Sequence, residues 1–289
     1  MEASPSFQDK IVLITGATNG IGKAAAFQIA EHKPHLMIVG RNREKCETVV
    51  QELRDTTPAS RVDYFLCDLS SQEEIRQLSE KIHVDLPRID VLVNNAGALF
   101  LSRRETVDGI EMTFGLNHLN YFMLTNLVID LLEKSESARI VNVASGAHRS
   151  AKTIHFDNVG FAEDYGGMKA YSQSKLANIL FTYELARRLD SNQITANCLH
   201  PGFVASGFGK NNGILAKLIM PLLHLFARNE EKGAETVTYL ATSPAVEGIT
   251  GKYYFDRHPR KSTEVSYNKS LAQKLWQISQ EMTGLDTTI

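Results

Sequence analysis

The 289-residue chain predicts a doubly wound α/β fold with a mostly parallel sheet. Three observations carry this. Short apolar runs alternate with amphipathic helical stretches. The runs are continuously apolar, as in strands that helices cover on both faces. A glycine-rich turn follows the first run and opens the first helix. No Pro/Gly/Ser-rich linker and no internal repeat interrupts the pattern, so residues 1–289 are expected to form a single domain.

Each element has its own reason. Ile11–Thr15 is a compact apolar strand, and a helix runs from the glycine turn to about His32. Strand-like 36–39 precedes a helix over 43–54, and Arg61–Leu66 is the third strand. A helix over 72–82 follows a turn at 68–71 rich in capping residues. The fourth strand is 90–94, and one long helix is expected from about 110 to 133. Ala138–Val143, a helix over 168–190 and a strand over 193–199 come next. Segment 209–230 breaks the rhythm before a helix over 232–241 and a last strand over 252–255. The tail 270–283 carries Leu271, Leu275, Ile278 and Met282 at helical spacing and should dock on the body. A nucleotide-binding half (about 10–100), a catalytic half (about 105–205) and a lid (about 205–230) are expected, with a C-terminal helix (about 270–283).

Composition excludes several classes. Hydrophobic residues make up 43% and charged residues 22%, ordinary globular values, and the net charge of −2 is no footprint of nucleic-acid binding. Cys46, Cys67 and Cys198 draw neither a disulfide framework nor a zinc spacing, and are expected to be reduced and buried. No apolar run reaches the ~18 residues of a spanning helix. The opening MEASPSFQDK has neither the cationic nor the apolar part of a signal peptide, so a cytoplasmic location is expected.

The turn Thr15-Gly16-Ala17-Thr18-Asn19-Gly20-Ile21-Gly22 has the spacing of a dinucleotide site. Gly16 permits the sharp exit from the strand, Gly20 lets a pyrophosphate approach the backbone, and Gly22 packs the helix on the sheet. Thr18, Asn19 and Ile21 complete the turn, and the helix N-terminus offers free N–H groups to phosphate. Arg41, followed by Asn42, stands 19 positions beyond Gly22, where NAD-binding folds place an acid. An arginine there suits a 2′-phosphate, so NADP(H) is expected over NAD(H); the plain alternative is a solvated arginine at a helix start. Asp68, before Leu69, either accepts from an adenine amino group or caps the next helix. Asn94-Asn95-Ala96-Gly97 lets the backbone pass an adenine ribose while its Asn side chains tie strands together.

The chemical half holds Tyr171 and Lys175, four apart in an expected helix and therefore on one face. An adjacent ammonium favours a phenolate, which suits proton exchange with a substrate oxygen. The pair alone is a frequent accident, and its partners decide. Ser145 follows the fifth strand at the carboxyl edge, where ligands bind. Asn117 sits inside a helix at some cost in propensity, and bridging backbone, water and Lys175 would be a reason to keep it. His118, His148 and His200 fit no tight ligand set, and no metal is expected.

Together the glycine turn, Asn94–Gly97, Asn117, Ser145, Tyr171–Lys175 and the His200-Pro201-Gly202 turn resemble the short-chain dehydrogenase/reductase family over nearly the whole chain. The stretches around Asp108–His118, Ser145–His148, Ala170–Asn178 and Leu275-Trp276 resemble its retinol dehydrogenase-like branch. The resemblance implies a Rossmann fold, Tyr171 as acid/base, Ser145 as substrate clamp, Lys175 serving ribose and tyrosine, and Asn117 as relay. It also places Val204 and Ser206 near a nicotinamide carboxamide, with Ser206 where Thr is commoner, and puts Asn120 where Gly is usual. It implies a homodimer or homotetramer through the helices at 110–133 and 168–190, although the chain also fits a monomer.

The apolar segment 213–226, GILAKLIMPLLHLF, reads as a substrate lid, either an ordinary cover or one that also makes peripheral contact with a membrane. The expected activity is NADP(H)-dependent interconversion of a hydrophobic alcohol and its aldehyde or ketone, like a retinol dehydrogenase or retinal reductase. The rival expectations are a broad carbonyl reductase and an NADP(H)-sensing interaction protein with vestigial activity.

Overall fold

Strands apolar on both faces need cover on both, and the computed structural model supplies it. It describes residues 7–59, 61–191, 193–203, 228–286 and 289. The strands are β1 (Ile11–Thr15), β2 (His35–Gly40), β3 (Arg61–Leu66), β4 (Val91–Asn94), β5 (Ala138–Val143), β6 (Ile194–Leu199), β7 (Tyr253–Phe255) and β8 (His258–Arg260). They form one sheet in the order β3-β2-β1-β4-β5-β6-β7-β8. Every pairing is parallel except β7 with β8. The order reverses between β1 and β4, and ligands of such sheets bind at the carboxyl ends beside that reversal.

Successive side chains of a strand face opposite layers. Val12 and Ile14 pack with α1 (Gly20–Ala30), α2 (Arg43–Thr56) and a helix at Glu230–Thr242. Leu13 faces α3 (Gln72–Asp85) and the helices of the opposite layer, among Leu78, Phe122, Phe181 and Trp276.

The long helix expected over 110–133 is broken. It comprises α4 (Met112–Phe114), a π-helical turn (Gly115–Leu119), α5 (Asn120–Leu127) and α6 (Ile129–Glu133). Val128, at φ −117° and ψ 15°, separates the last two. The start is fixed by buried Glu111, whose carboxylate accepts from the N–H groups of Thr113 and Phe114 at 2.8 Å each. α7 (Gly167–Arg188) follows β5 and runs through the interior, buried without interruption over 170–185.

The helix at Glu230–Thr242 is α8, and the tail helix α9 spans Lys269–Thr283. α9 docks as expected, with Leu275 and Trp276 buried and Asn268 capping its start. It lies against α7, one of the helices that the resemblance assigns to subunit contact. The antiparallel strand β8 was not expected. Its hairpin turns at Asp256 and Arg257, both at positive φ (51° and 63°), without the Asn-Gly or Asp-Gly pair that signals such a turn.

The amino edge of the sheet is knotted by Asp90, 1% exposed. Its carboxylate accepts from Ile11 N at 2.8 Å, Ser135 Oγ at 2.7 Å, Arg88 Nε at 3.0 Å and Lys10 Nζ at 3.1 Å. These bonds hold its pKa below the usual carboxylate value despite burial. Cys46, Cys67 and Cys198 are free and buried as expected, and burial pushes the Cys67 and Cys198 thiols up to about 12. Val204, Ser206 and the expected lid 213–226 lie outside the described residues.

Candidate active site

Strand order arranges the candidate residues in a row along the carboxyl rim. Asp68 and Leu69 follow β3, Arg41 and Asn42 follow β2, and Gly16–Gly22 follow β1. Asn94–Gly97 close β4, and Ser145 follows β5.

At the glycine turn, Gly16 has φ +69°, and a Cβ there would lie 2.8 Å from the Ala96 α-carbon. The β1 and β4 loops therefore touch backbone to backbone. Asn95 locks this contact, donating from Nδ2 to the carbonyls of Thr15 (2.9 Å) and Gly16 (3.1 Å). Thr15 Oγ1 accepts from the N–H groups of Asn95 and Ala96. Asn95 was named only within its strand-end motif and Thr15 only within the glycine turn, because their specific partners lie some 80 positions away.

Helix α1 opens without the side-chain cap that α2, α3, α8 and α9 have. Asn42, Ser71, Asn229 and Asn268 cap α2, α3, α8 and α9 with their side chains. Asn19, at the start of α1, makes no such bond. A helix start with uncapped N–H groups beside a glycine cradle fits a pyrophosphate. Thr18 and Ile21 are half-buried along this turn, and Arg41 is exposed beyond β2.

The next turn corrects a detail. Ser71, not Asp68, caps α3, accepting from Glu74 N. Asp68 accepts instead from Ser70 N and Ser70 Oγ, at 3.0 and 2.7 Å. Asn94 ties β4 inward as expected: its Nδ2 donates to Thr125 Oγ1 and Asn142 Oδ1, and Asn142 donates on to Thr182.

The chemical groups gather at the end of β5. Asn117 lies in the π-helical turn, fully buried. Its Oδ1 accepts from Ala98 N at 2.8 Å, and its Nδ2 donates to Ala98 O at 2.9 Å and Ser174 Oγ at 3.0 Å. The Asn117 amide thus clamps the loop after β4 to α7. Gly97 lies between the two: a Cβ there would meet Asn117 Oδ1 at 3.0 Å and Lys175 Nζ at 3.4 Å. Ser174 was also missed, since a serine inside a tyrosine–lysine helix carries no signal of its own.

Lys175 is 3% exposed. Its ammonium donates to Val143 O at 3.0 Å and lies 5.6 and 5.8 Å from the ring centres of Tyr121 and Tyr171. Burial pushes its pKa down to about 7. Tyr171 is pushed up to about 12 by burial, which outweighs the opposing hydrogen bond with Ser145. The phenolate expected from a neighbouring ammonium is therefore not the form that the protein's own groups select. Desolvation penalises both charges and wins.

Ser145 is half-buried, and its Oγ accepts from Ala147 N at 3.2 Å. The histidines have separate tasks. His148 Nδ1 bonds Ser145 O at 2.7 Å, His118 Nε2 bonds Ser279 Oγ at 2.9 Å, and His200 stacks on Phe255 at 4.2 Å. Burial pushes His118 down to about 3 and His200 to about 4. Among the described residues, no three His, Cys, Asp or Glu side chains gather to hold a metal ion.

A parallel sheet with a phosphate-ready helix start at its reversal and a Ser–Tyr–Lys cluster on the same rim defines a dinucleotide-dependent oxidoreductase. Residues 10–213 match the family model for short chain dehydrogenases. The chain is 39% identical over 293 residues to human polyprenol dehydrogenase, covering 99% of this chain and 88% of that one. It is 39% identical to human retinol dehydrogenase 14, over 96% of this chain and 87% of the relative. A solved structure of an uncharacterized protein from Mycobacterium paratuberculosis superposes with a TM-score of 0.79 at 28% identity, covering 99% and 97% of the two chains. A short chain dehydrogenase from Shigella flexneri, solved with NADP, shares the fold at a TM-score of 0.69 and 23% identity, covering 88% and 100%. The chain belongs to the short-chain dehydrogenase/reductase family, in its retinol dehydrogenase-like branch.

Proposed function

We propose that the protein is an NADP(H)-dependent oxidoreductase interconverting a hydrophobic alcohol and its aldehyde or ketone. The carrying observation is the meeting of Ser145, Tyr171 and Lys175 at the end of β5, on the rim that also bears the uncapped start of α1. A bound nicotinamide supplies or accepts the hydride. Tyr171, a neutral phenol at physiological pH, donates a proton to the substrate oxygen in reduction, and Ser145 holds that oxygen. Lys175, with a pKa near neutrality, reloads Tyr171, and Asn117 fixes the loop past which the ribose would run. Proton transfer of this kind contributes about 10²–10⁴-fold.

Gly16, Gly20 and Gly22 cradle the pyrophosphate; Asp68, Leu69, Asn94, Ala96 and Gly97 line the adenosine side; Val204 and Ser206 attend the nicotinamide. Exposed Arg41 supports the 2′-phosphate reading, as do fold neighbours solved with NADP and NADPH. The relatives named for retinol and polyprenol point to an isoprenoid chain ending in a primary alcohol. Exposed Leu101, Met168 and Phe203 suit an apolar substrate, with Met168 one helical turn before Tyr171. The complete burial of α7 over 170–185 favours a monomer over pairing through that helix.

The test is NADPH consumption against isoprenoid aldehydes, medium-chain aldehydes and aromatic ketones, for the wild type and Tyr171→Phe. We expect isoprenoid aldehydes to turn over fastest. Tyr171→Phe should keep cofactor affinity and lose about 10²–10⁴-fold in turnover. Near-normal turnover of Tyr171→Phe would overturn its role, and equal rates across the panel would favour a broad carbonyl reductase.

A further inference from the structure

The π-helical turn inserts one extra residue into the helix that carries Asn117. Its last bond runs from Asn120 N–H to Gly115 O, five residues back. In an unbroken α-helix that N–H would go to the Leu116 carbonyl. The turn thus releases the Leu116 carbonyl inside a packed layer, where an unpaired carbonyl is costly.

Asn120 covers it. Its side-chain Nδ2 donates to Leu116 O. The residue is 1% exposed, and its Oδ1 has no partner among the described residues. Only the donor half of the amide is used. The side chain also lines a small cleft with Leu69, Ile75, Ile110, Leu119 and Met123. Without that donor, the Leu116 carbonyl competes with that of Gly115 for the Asn120 N–H, and the turn opens and alternates between π and α register. One residue of register is about 100° of rotation. That rotation would carry Asn117 away from Ala98 and Ser174, which it now bonds with both amide atoms.

We infer that Asn120 is a positioning residue, whose side-chain N–H holds the π register that delivers Asn117 to the loop beside Lys175. The catalytic consequence rests on the proposed function; the register itself does not.

The experiment uses the full-length protein with Asn120→Leu, which keeps the size and removes the donor, and Asn120→Gln, which keeps a donor and has the cleft to extend into. Three quantities are read: amide hydrogen exchange over 115–121, NADPH sites counted by fluorescence titration, and kcat and KM per site. Asn120→Leu should exchange about tenfold or more faster over 115–121, with the strands unchanged. Its kcat per site should fall about 10–100-fold, with KM within about threefold. Asn120→Gln should recover most of both. Wild-type exchange over 115–121 in Asn120→Leu would overturn the inference, as would faster exchange with an unchanged kcat. Equal behaviour of the two variants would also overturn it, because the donor would then be irrelevant. If instead Tyr171→Phe stays active, the functional reading fails and the exchange comparison alone decides the role of Asn120. If Asn120→Leu does not fold, Asn120→Ala, which removes the donor without adding bulk, is read against Asn120→Gln by the same exchange and kinetic criteria.

Discussion

Two buried charges stand at opposite edges of one sheet. Asp90, at the amino edge, is met by a backbone amide, a hydroxyl, an ammonium and a guanidinium. Lys175, at the carboxyl edge, has one carbonyl and two aromatic faces and, among the described residues, no carboxylate partner. Their pKa values move accordingly. Asp90 is held further into its charged form, while Lys175 is drawn towards its neutral form. The satisfied charge is a fastening. The under-satisfied one is drawn towards neutrality, which suits the proton exchange proposed for it, and the fold tolerates its cost.

The strongest way to break this contrast is Lys175→Met. We expect turnover to fall about 10²–10⁴-fold, while removal of a poorly solvated cation raises the unfolding midpoint at pH 7 by about 2–4 °C for each 1 kcal/mol gained. A variant that loses stability as well as activity would show Lys175 to be a structural fastening like Asp90. Asp90→Ala should do the opposite. It orphans Ile11 N–H and Ser135, and should cost about 3–5 kcal/mol in denaturant unfolding with kcat per folded site unchanged.

The pH dependence of stability sharpens the contrast. Asp90 has a lowered folded pKa, so its contribution is present above the unfolded carboxylate value of about 4 and is lost as pH falls through the folded value. For Lys175 stability also rises with pH, but in a higher window and because deprotonation relieves a buried cation. With a folded pKa of about 7, the unfolded chain binds the extra proton between about pH 7 and 10. Wild-type stability should therefore gain on that of Lys175→Met as pH rises through that window, and parallel curves would refute the shift. The smallest effect belongs to exposed Arg41. Arg41→Asp should move cofactor preference from NADPH towards NADH by about tenfold, or about 1.4 kcal/mol, and alter stability by less than about 0.5 kcal/mol. An unchanged preference would end the 2′-phosphate assignment.

The sheet was legible because its strands are apolar on both faces, and the glycine turn because its spacing sits between a strand and a helix. Ser145, Tyr171 and Lys175 were legible as residue types at strand-end and helical positions. What sequence could not show was non-local. The segment 110–133 is mostly apolar and free of proline, so no breaker residue marks where the helix is interrupted. The π turn coincides with the bonds of Asn117 to Ala98 and Ser174, 19 and 57 positions away. The direction of the Tyr171 shift was missed for the same reason: spacing shows that an ammonium is near, but only packing shows how dry both groups are.

The tail helix α9 has a practical consequence. Trp276, the only tryptophan in the chain, sits edge-on to Phe122 at 5.0 Å and stacks on Phe181 at 5.8 Å, with the Arg188 guanidinium 4.2 Å over its ring. Its ultraviolet emission therefore comes from one place, where the tail meets the helix that carries Tyr171. The protein has a built-in optical gauge of whether its own C-terminal segment is seated, readable without a label and while turnover proceeds.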